Sequence, residues 1–162
     1  MTSWLRPMFH VEKPVIGMAH FPALPGTRGS ESVPRHDAAM GMDGMIQRMR
    51  TDVAHLLENG VDAVMFCNED DRPYAFHADF EAIAVMTRVI TALRPVDRPF
   101  GVDFLWDPRA PLAMGLATLH PRGGDGRLRV TQQSVGPTDV FIRNCSGCGA
   151  TSRRRWKGYS SD

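Results

Sequence analysis

The feature that most constrains the fold of this chain is a pattern that occurs three times before residue 119: a short apolar run, then a stretch with helical spacing of apolar residues. The apolar runs cover residues 14–20, 61–66 and 100–106. Runs of this length and composition are typical of strands buried on both faces. Alternating strands and helices predict an α/β fold with a parallel sheet and right-handed crossovers, in either a barrel or a doubly wound arrangement.

The stretches between the apolar runs carry the start and stop signals of helices. The first predicted helix has an apolar face of Met42, Met45, Ile46, Met49, Val53, Leu56 and Leu57, and the second has one of Ile83, Met86, Thr87, Ile90 and Leu93. Gly60 follows the first helix as a stop signal. Asp79 is placed to cap the second helix, which Pro95 ends. Asp107, with a proline directly behind it, predicts the start of a third helix that extends to Thr118.

This pattern ends at Thr118. Residues 119–162 hold one short apolar stretch, at residues 139–142, among Gly, Arg, Ser and Gln. A fourth strand should begin within a few residues of the third helix, and none is predicted. The charge also changes at this point. Residues 1–118 hold 11 Lys and Arg and 15 Asp and Glu, whereas residues 119–162 hold 8 Lys and Arg and 3 Asp and Glu. We therefore expect residues 119–162 to be irregular and poorly packed on the rest.

The composition favours a globular cytoplasmic protein. The chain has 162 residues, of which 43% are hydrophobic and 23% charged. No stretch approaches the roughly 18 apolar residues of a membrane span, and the first nine residues lack a signal-peptide pattern. We therefore predict a cytoplasmic location without a transmembrane segment.

The cysteines and the basic run near the end are weak signals. Cys145 and Cys148 have the spacing of a redox pair or half of a zinc site, but no second such pair occurs. Residues 153–157 form an isolated basic cluster, and the glycines at residues 123–126 lack a phosphate-binding pattern. We assign no cofactor, leave the metal unknown, and expect no nucleic-acid partner.

Three segments resemble the BtpA/SgcQ family in order and spacing. They read KPVIGMAHFPALPG, ENGVDAVMFCNEDDRPYAF and PFGVDFLWDPRAPLAMGLAT, and the resemblance extends from Lys13 to Thr118. It implies a TIM (β/α)8 barrel of about 250 residues, of which residues 1–118 would supply the first three βα units. It also implies an enzyme that acts on a small sugar- or nucleoside-like metabolite or, alternatively, a non-catalytic factor for biogenesis of photosystem I, a membrane complex. The oligomeric state stays open.

Residues 119–162 depart from the pattern of that family, which would continue with a strand and a loop resembling F-I-R-E. Read one nucleotide later, the codons for residues 118–131 permit the continuation R-F-I-R-E-V-A-T-G-V-Y-E-S. This predicts that a frameshift separates the two parts of the chain, and that the product is a truncated, inactive fragment. A divergent C-terminal domain is the alternative.

Polar side chains follow each predicted strand, where parallel barrels hold their functional groups. We name His20, Asn68, Glu69 and Asp103 as candidate catalytic residues, and Asp71, Arg72 and Asp107 as candidate ligand-binding residues. Carboxylates, an amide and an imidazole can bind a divalent cation, or hold a polyol-like or nucleoside-like small molecule and move a proton.

Each candidate also has a structural interpretation. His20 can be a buried, hydrogen-bonded residue at the end of a strand. Asp103 must be paired if it faces the interior. Asp107 is better explained as a helix cap, and Arg72 as the partner of a neighbouring acid. The loop at residues 68–71 can simply be solvated.

Overall fold

The computed structural model describes residues 5–27, 36–105, 107–118, 127–132 and 138–143. Its elements are α1 (Leu5–Phe9), β1 (Ile16–His20), α2 (Gly41–Glu58), β2 (Ala63–Cys67), α3 (Phe80–Leu93), β3 (Phe100–Asp103), α4 (Arg109–Thr118), β4 (Arg127–Gln132) and β5 (Thr138–Arg143). From β1 to α4, strands and helices alternate. The prediction of three successive βα units is confirmed.

The first three strands form a parallel sheet in the order β1-β2-β3. In its register Ile16 pairs with Ala63, His20 pairs with Cys67, and Cys67 pairs with Asp103. Parallel strands run in one direction, so their carboxyl ends lie together at one end of the sheet. The loops that lead from each strand into the next helix start there.

One face of this sheet packs against helices. The strands contribute Ala19, Val64, Phe66, Phe100 and Val102, and the helices contribute Met45, Met49, Val53, Met86, Ile90 and Met114, among others. All of these side chains are at most 4% exposed. Burial of an apolar side chain of this size contributes about 1.5–3 kcal/mol, so this layer is the main source of stability.

The helix ends follow the sequence signals with one exception. Gly60, directly after the Asn59 cap of α2, has a φ of +78°, a left-handed conformation that favours glycine. Asp79 occupies the N-cap position of α3 with an extended backbone, but its side chain makes no capping hydrogen bond. The sequence therefore predicted the start of α3 correctly, but the capping hydrogen bond expected from the Asp79 side chain does not form.

The opposite face of the sheet is partly covered by α1, which the sequence did not predict. Met8 and Phe9 pack on Ala63 and Met65 of β2, with Ile16 at the margin. With Val64 and Phe66 packed on the helix side, all five residues of β2 are buried, which agrees with the apolar run that predicted a strand buried on both faces. Towards the carboxyl end the same face of β1 is more open.

Residues 127–132 and 138–143 correct the expectation of an irregular tail. β4 and β5 pair antiparallel with each other, and β5 pairs antiparallel with β3, so the sheet order is β1-β2-β3-β5-β4. The physical reason is the open edge of β3, whose backbone groups favour an added strand. The alternation of Leu128 and Val130 with polar residues is also a strand signal, which the sequence interpretation overlooked.

Candidate functional site

The last residues of the three parallel strands lie at one level of the sheet. His20 pairs with Cys67 and Cys67 pairs with Asp103, so the three lie in a row across the carboxyl end of the sheet. We call them the strand-end row. Neighbouring strands are about 4.8 Å apart, which makes the row about 10 Å long. Side chains alternate between faces, and Ala19 packs towards the helices, so the strand-end row belongs to the opposite face.

Asp103 is the buried carboxylate of the strand-end row, at 5% exposure. The thiol of Cys67 donates to its Oδ2 atom over 3.4 Å. A buried carboxylate needs hydrogen-bond donors, because removing its charge from water is costly. The expectation that Asp103 would be paired is confirmed for its Oδ2 atom. His20, by contrast, is exposed, so the alternative of a buried strand-end histidine is wrong.

Asn68 follows β2 directly and is 1% exposed. Its Oδ1 atom accepts a hydrogen bond of 2.8 Å from the backbone N–H of Leu105, and its amide nitrogen donates to Asp71 over 3.3 Å. The amide thus joins the loop after β2 to the loop after β3. This geometry gives Asn68 a positioning role, and direct contact with a ligand stays a prediction.

Asp71 extends this connection to the loop after β1. The hydroxyl of Thr27 donates to Asp71 Oδ1, while Asp71 Oδ2 accepts from Asn68. The backbone N–H of Asp71 also donates to the carbonyl of Asn68 over 3.0 Å, which closes a turn. Three loops at the carboxyl end of the sheet are therefore held by hydrogen bonds through two side chains.

Glu69 and Arg72 lie in the same loop after β2. Glu69 is half-buried, and its backbone carbonyl accepts a hydrogen bond of 3.0 Å from the Tyr74 hydroxyl. Burial, followed by the negative charge of Glu69, raises the pKa of Tyr74 to about 12, so this hydroxyl keeps its proton. Arg72 is exposed and lies 3.6 Å from Asp70. The expected ion pair with a neighbouring acid is confirmed.

Asp107 is a structural carboxylate at 3% exposure. Its Oδ1 atom accepts from the backbone N–H of Arg109, and its Oδ2 atom accepts from that of Ala78, both over 2.9 Å. Burial acts to raise the pKa of Asp107, but these hydrogen bonds and the Arg109 guanidinium outweigh it and hold the pKa below its usual value. The interpretation of Asp107 as a helix cap is confirmed.

Three side chains near this end, those of Arg109, His77 and Cys67, were not predicted from the sequence. Arg109 Nη2 lies 2.8 Å from His77 Nδ1, and because arginine only donates, the imidazole accepts. The remaining proton of a neutral His77 is then on Nε2. Cys67 was also missed, because a cysteine in an apolar run is usually read as a small hydrophobic residue. No sequence spacing signals the pair of Arg109 and His77, which are 32 residues apart.

The described ranges contain no group of three or more His, Cys, Asp and Glu side chains that could hold a metal ion. No helix among them is both long and apolar enough to cross a membrane. Cys145, Cys148, the glycines at 123–126 and the basic run at 153–157 lie outside the described residues.

Comparisons with known proteins find relatives that match part of this chain. The sgc region protein SgcQ of Escherichia coli (strain K12) is 43% identical over 117 residues, which are 72% of this chain and 41% of SgcQ. An uncharacterized protein of Pyrococcus horikoshii is 31% identical over 94 residues, or 57% of this chain and 33% of that protein. An uncharacterized protein of Methanocaldococcus jannaschii is 35% identical over 100 residues, which are 61% of this chain and 35% of that protein.

The chain spans about two fifths of the length of SgcQ and about a third of these two archaeal proteins. The model of the BtpA family matches residues 11–121 of this chain, which is more than half of its length. These matched residues contain β1 to α4 and hold all seven candidate site residues. The chain therefore belongs to the BtpA family.

Proposed function

We propose that residues 1–118 are the first part of a barrel enzyme that acts on a small sugar- or nucleoside-like metabolite. The observation that carries this proposal is the strand-end row, in which His20, Cys67 and Asp103 share one level on the face away from the helices. In a (β/α)8 barrel that face is the interior, and the carboxyl ends of the strands surround the active site.

The chemistry of the row suits proton transfer on a hydroxyl-bearing ligand. The exposed His20 carries an imidazole, the side chain that most often acts as a general acid or base in enzymes. Asp103 lies two strands away and can accept a hydrogen bond from the same ligand, since the two positions are about 10 Å apart. The half-buried carboxylate of Glu69 lies one loop residue beyond Asn68 and is a second candidate base.

We further propose that this site is incomplete in the present chain. The family match ends at residue 121, and the aligned part covers 41% of SgcQ. Barrel enzymes draw their site residues from the ends of several strands. β5 pairs antiparallel on the edge of β3 where a barrel would place its fourth parallel strand. An out-of-frame origin of residues 119–162 is consistent with these observations, and the fragment itself would be inactive.

The test is ligand binding by a longer chain, in which residues 1–118 are followed by the βα units that a family barrel would supply. Isothermal titration with a ribonucleoside and with an aldohexose measures the affinity. We expect saturable binding of one of them, and about tenfold weaker binding after His20→Ala or Asp103→Asn, because each change removes one strong hydrogen bond. His55→Ala is the matched control, since His55 is exposed on α2.

Equal affinities for His20→Ala, Asp103→Asn and His55→Ala would remove the strand-end row from the site. Circular dichroism on each variant separates loss of binding from loss of structure. Saturable binding by neither ligand class would contradict the enzyme proposal and favour the alternative of a biogenesis factor.

A further inference from the structure

A cavity of about 130 Å³ lies between the loops that follow β1 and β2 and the start of α3. Its lining includes Ala82 and Phe104, which belong to the core on the helix side of the sheet. The strand-end row belongs to the opposite face, so this cavity is a separate space. We call it the loop cavity.

The polar lining of the loop cavity is rich in acceptors. Thr27, Asp71 and Asp79 contribute a hydroxyl and two carboxylates. Asp79 is informative because it occupies the N-cap position of α3 without the side-chain capping hydrogen bond that an aspartate commonly makes there. Its Oδ2 atom lies 3.9 Å from the position that an added Cβ would occupy on Gly26, another lining residue. This carboxylate is available to a molecule in the cavity.

One lining residue supplies a donor. His77 Nδ1 accepts from Arg109 over 2.8 Å, so a neutral His77 carries its proton on Nε2 and can only donate from that atom. Arg109 is itself bound to the buried carboxylate of Asp107, at 3.4 Å between Nε and Oδ1. Asp107 thereby restrains Arg109, and Arg109 restrains the tautomer of His77.

We propose that the loop cavity binds a small polyol. Each hydroxyl of a polyol both donates and accepts, which matches two carboxylates and an imidazole N–H in one space. A protonated alkylamine would donate hydrogen bonds to the carboxylates, but it has no lone pair to accept one from the imidazole N–H. The size also fits, because an engineered cavity of about 150 Å³ holds one benzene molecule, so 130 Å³ admits about six heavy atoms. The apolar floor formed by Phe104 and Ala82 meets the carbon chain of the polyol.

This inference does not depend on the proposed enzyme activity, since the loop cavity and the strand-end row lie on different faces. The test uses the 162-residue chain with glycerol as the probe, and saturation-transfer NMR over a concentration series measures binding. Propane, 1-propanol and ethylenediamine are the comparison probes for the carbon chain alone, a single hydroxyl and a cation. We expect saturable binding of glycerol and at least fivefold weaker binding of each comparison probe.

Two variants locate the binding. Asp79→Asn removes one acceptor charge and should weaken glycerol binding about tenfold, because charge-assisted hydrogen bonds are the strong ones. Glu81→Gln is its control, an exposed acid in the first turn of the same helix that does not line the cavity. Ala75→Phe fills the space from an exposed lining position and should abolish binding. Ala84→Phe, exposed on α3 outside the cavity, should not.

Absence of saturable glycerol binding by the wild-type chain would overturn the proposal. So would preferential binding of ethylenediamine, which would make the loop cavity a cation site. Equal binding by Asp79→Asn and Glu81→Gln would place the polyol elsewhere. If Asp79→Asn loses helix content by circular dichroism, the pair Ala75→Phe and Ala84→Phe decides the location.

Discussion

A single side chain, Asp107, joins the loop after β2 to the start of α4. Its two oxygens accept backbone hydrogen bonds from Ala78 and Arg109, which come from segments about 30 residues apart. The carboxylate is 3% exposed, so water cannot replace a lost partner at this position. A buried N–H group without an acceptor costs about 1–3 kcal/mol.

Asp107→Asn should therefore lower the free energy of unfolding by about 1–3 kcal/mol at pH 7. The amide keeps one acceptor oxygen, but its NH₂ group faces one of the two backbone N–H donors. Urea unfolding of the longer chain described under the proposed function, followed by circular dichroism, measures the change, because a free energy of unfolding requires a cooperative transition. Asp52→Asn is the control, because Asp52 is an exposed acid on α2, and it should shift the free energy by less than about 0.5 kcal/mol.

The same carboxylate predicts a dependence on pH. The hydrogen bonds hold the pKa of folded Asp107 below its ordinary value of 3.8. A group with a lowered folded-state pKa contributes stability that is present above the unfolded pKa and is lost as the pH falls through the folded pKa. Below about pH 3.8 the wild-type chain should lose unfolding free energy more steeply than Asp107→Asn. Parallel pH profiles of the two proteins would contradict this assignment.

Among the elements, the loops at the carboxyl end of the sheet depend on Asn68. It is buried, and it binds Leu105 in the loop after β3 and Asp71 in its own loop, while Asp71 binds Thr27 in the loop after β1. These side-chain hydrogen bonds add to the apolar contacts of Phe21, Leu24 and Phe104, which lie in the same loops and belong to the core. Local opening of such segments costs less free energy than global unfolding, so the loss of a buried hydrogen bond is measurable there.

Asn68→Ala should release these loops while the sheet persists. We expect faster hydrogen exchange at the backbone N–H of Leu105 and in peptides that cover residues 68–79, by about tenfold for the loss of one buried hydrogen bond. Asn59→Ala is the control, because Asn59 donates to His55 at the exposed end of α2. Equal exchange at Leu105 in both variants would show that Asn68 does not hold the loops.

The elements that the sequence predicted are those with a long or continuous apolar signal. Met45, Met49 and Val53 of α2 are buried as their helical spacing required, and β2 is buried throughout. The five residues of α1 are too few to show a helical period, and their burial depends on a contact with β2. The position of the β4–β5 pair depends on the open edge of β3. A tertiary contact of this kind cannot be predicted from the local sequence pattern.

The sequence predicted where the candidate site lies, but only some of the contacts between its side chains. Strand ends placed His20 and Asp103 at one end of the sheet, because parallel strands share a direction. The thiol of Cys67 beside Asp103 required the register of β2 and β3, which no local pattern sets. The contact of His77 with Arg109 likewise joins two loops across 32 residues.

At the scale of the whole molecule, the parallel sheet has different neighbours at its two edges. β3 is covered by β5, whereas β1 stands at the end of the strand order. Met18 on β1 and Val15 just before it are 44% and 62% exposed. An exposed edge strand with apolar side chains favours association between chains. In a closed barrel this edge would pair with the last strand.

The out-of-frame hypothesis makes a direct prediction about the gene. Read one nucleotide later after the codon for Thr118, it should encode a continuous family sequence, beginning with a strand that is followed by Arg and Glu. Sequencing of the DNA on both sides of this codon is the measurement. A shifted frame interrupted by stop codons would leave the divergent C-terminal domain as the explanation of residues 119–162.

The 162-residue chain and the longer chain that the shifted frame would encode should differ in how they unfold. Closure of the barrel would bury the open face near Met18 and pair the edge of β1, so both apolar burial and backbone pairing increase. We expect the longer chain to show a sharp calorimetric transition as a monomer. The 162-residue chain should melt over a broader range, at a lower temperature, and associate as its concentration rises. Light scattering before each scan gives the molecular mass. A sharp, reversible transition of the shorter chain as a monomer would mean that β4 and β5 complete a domain, because most small single domains unfold in one cooperative step.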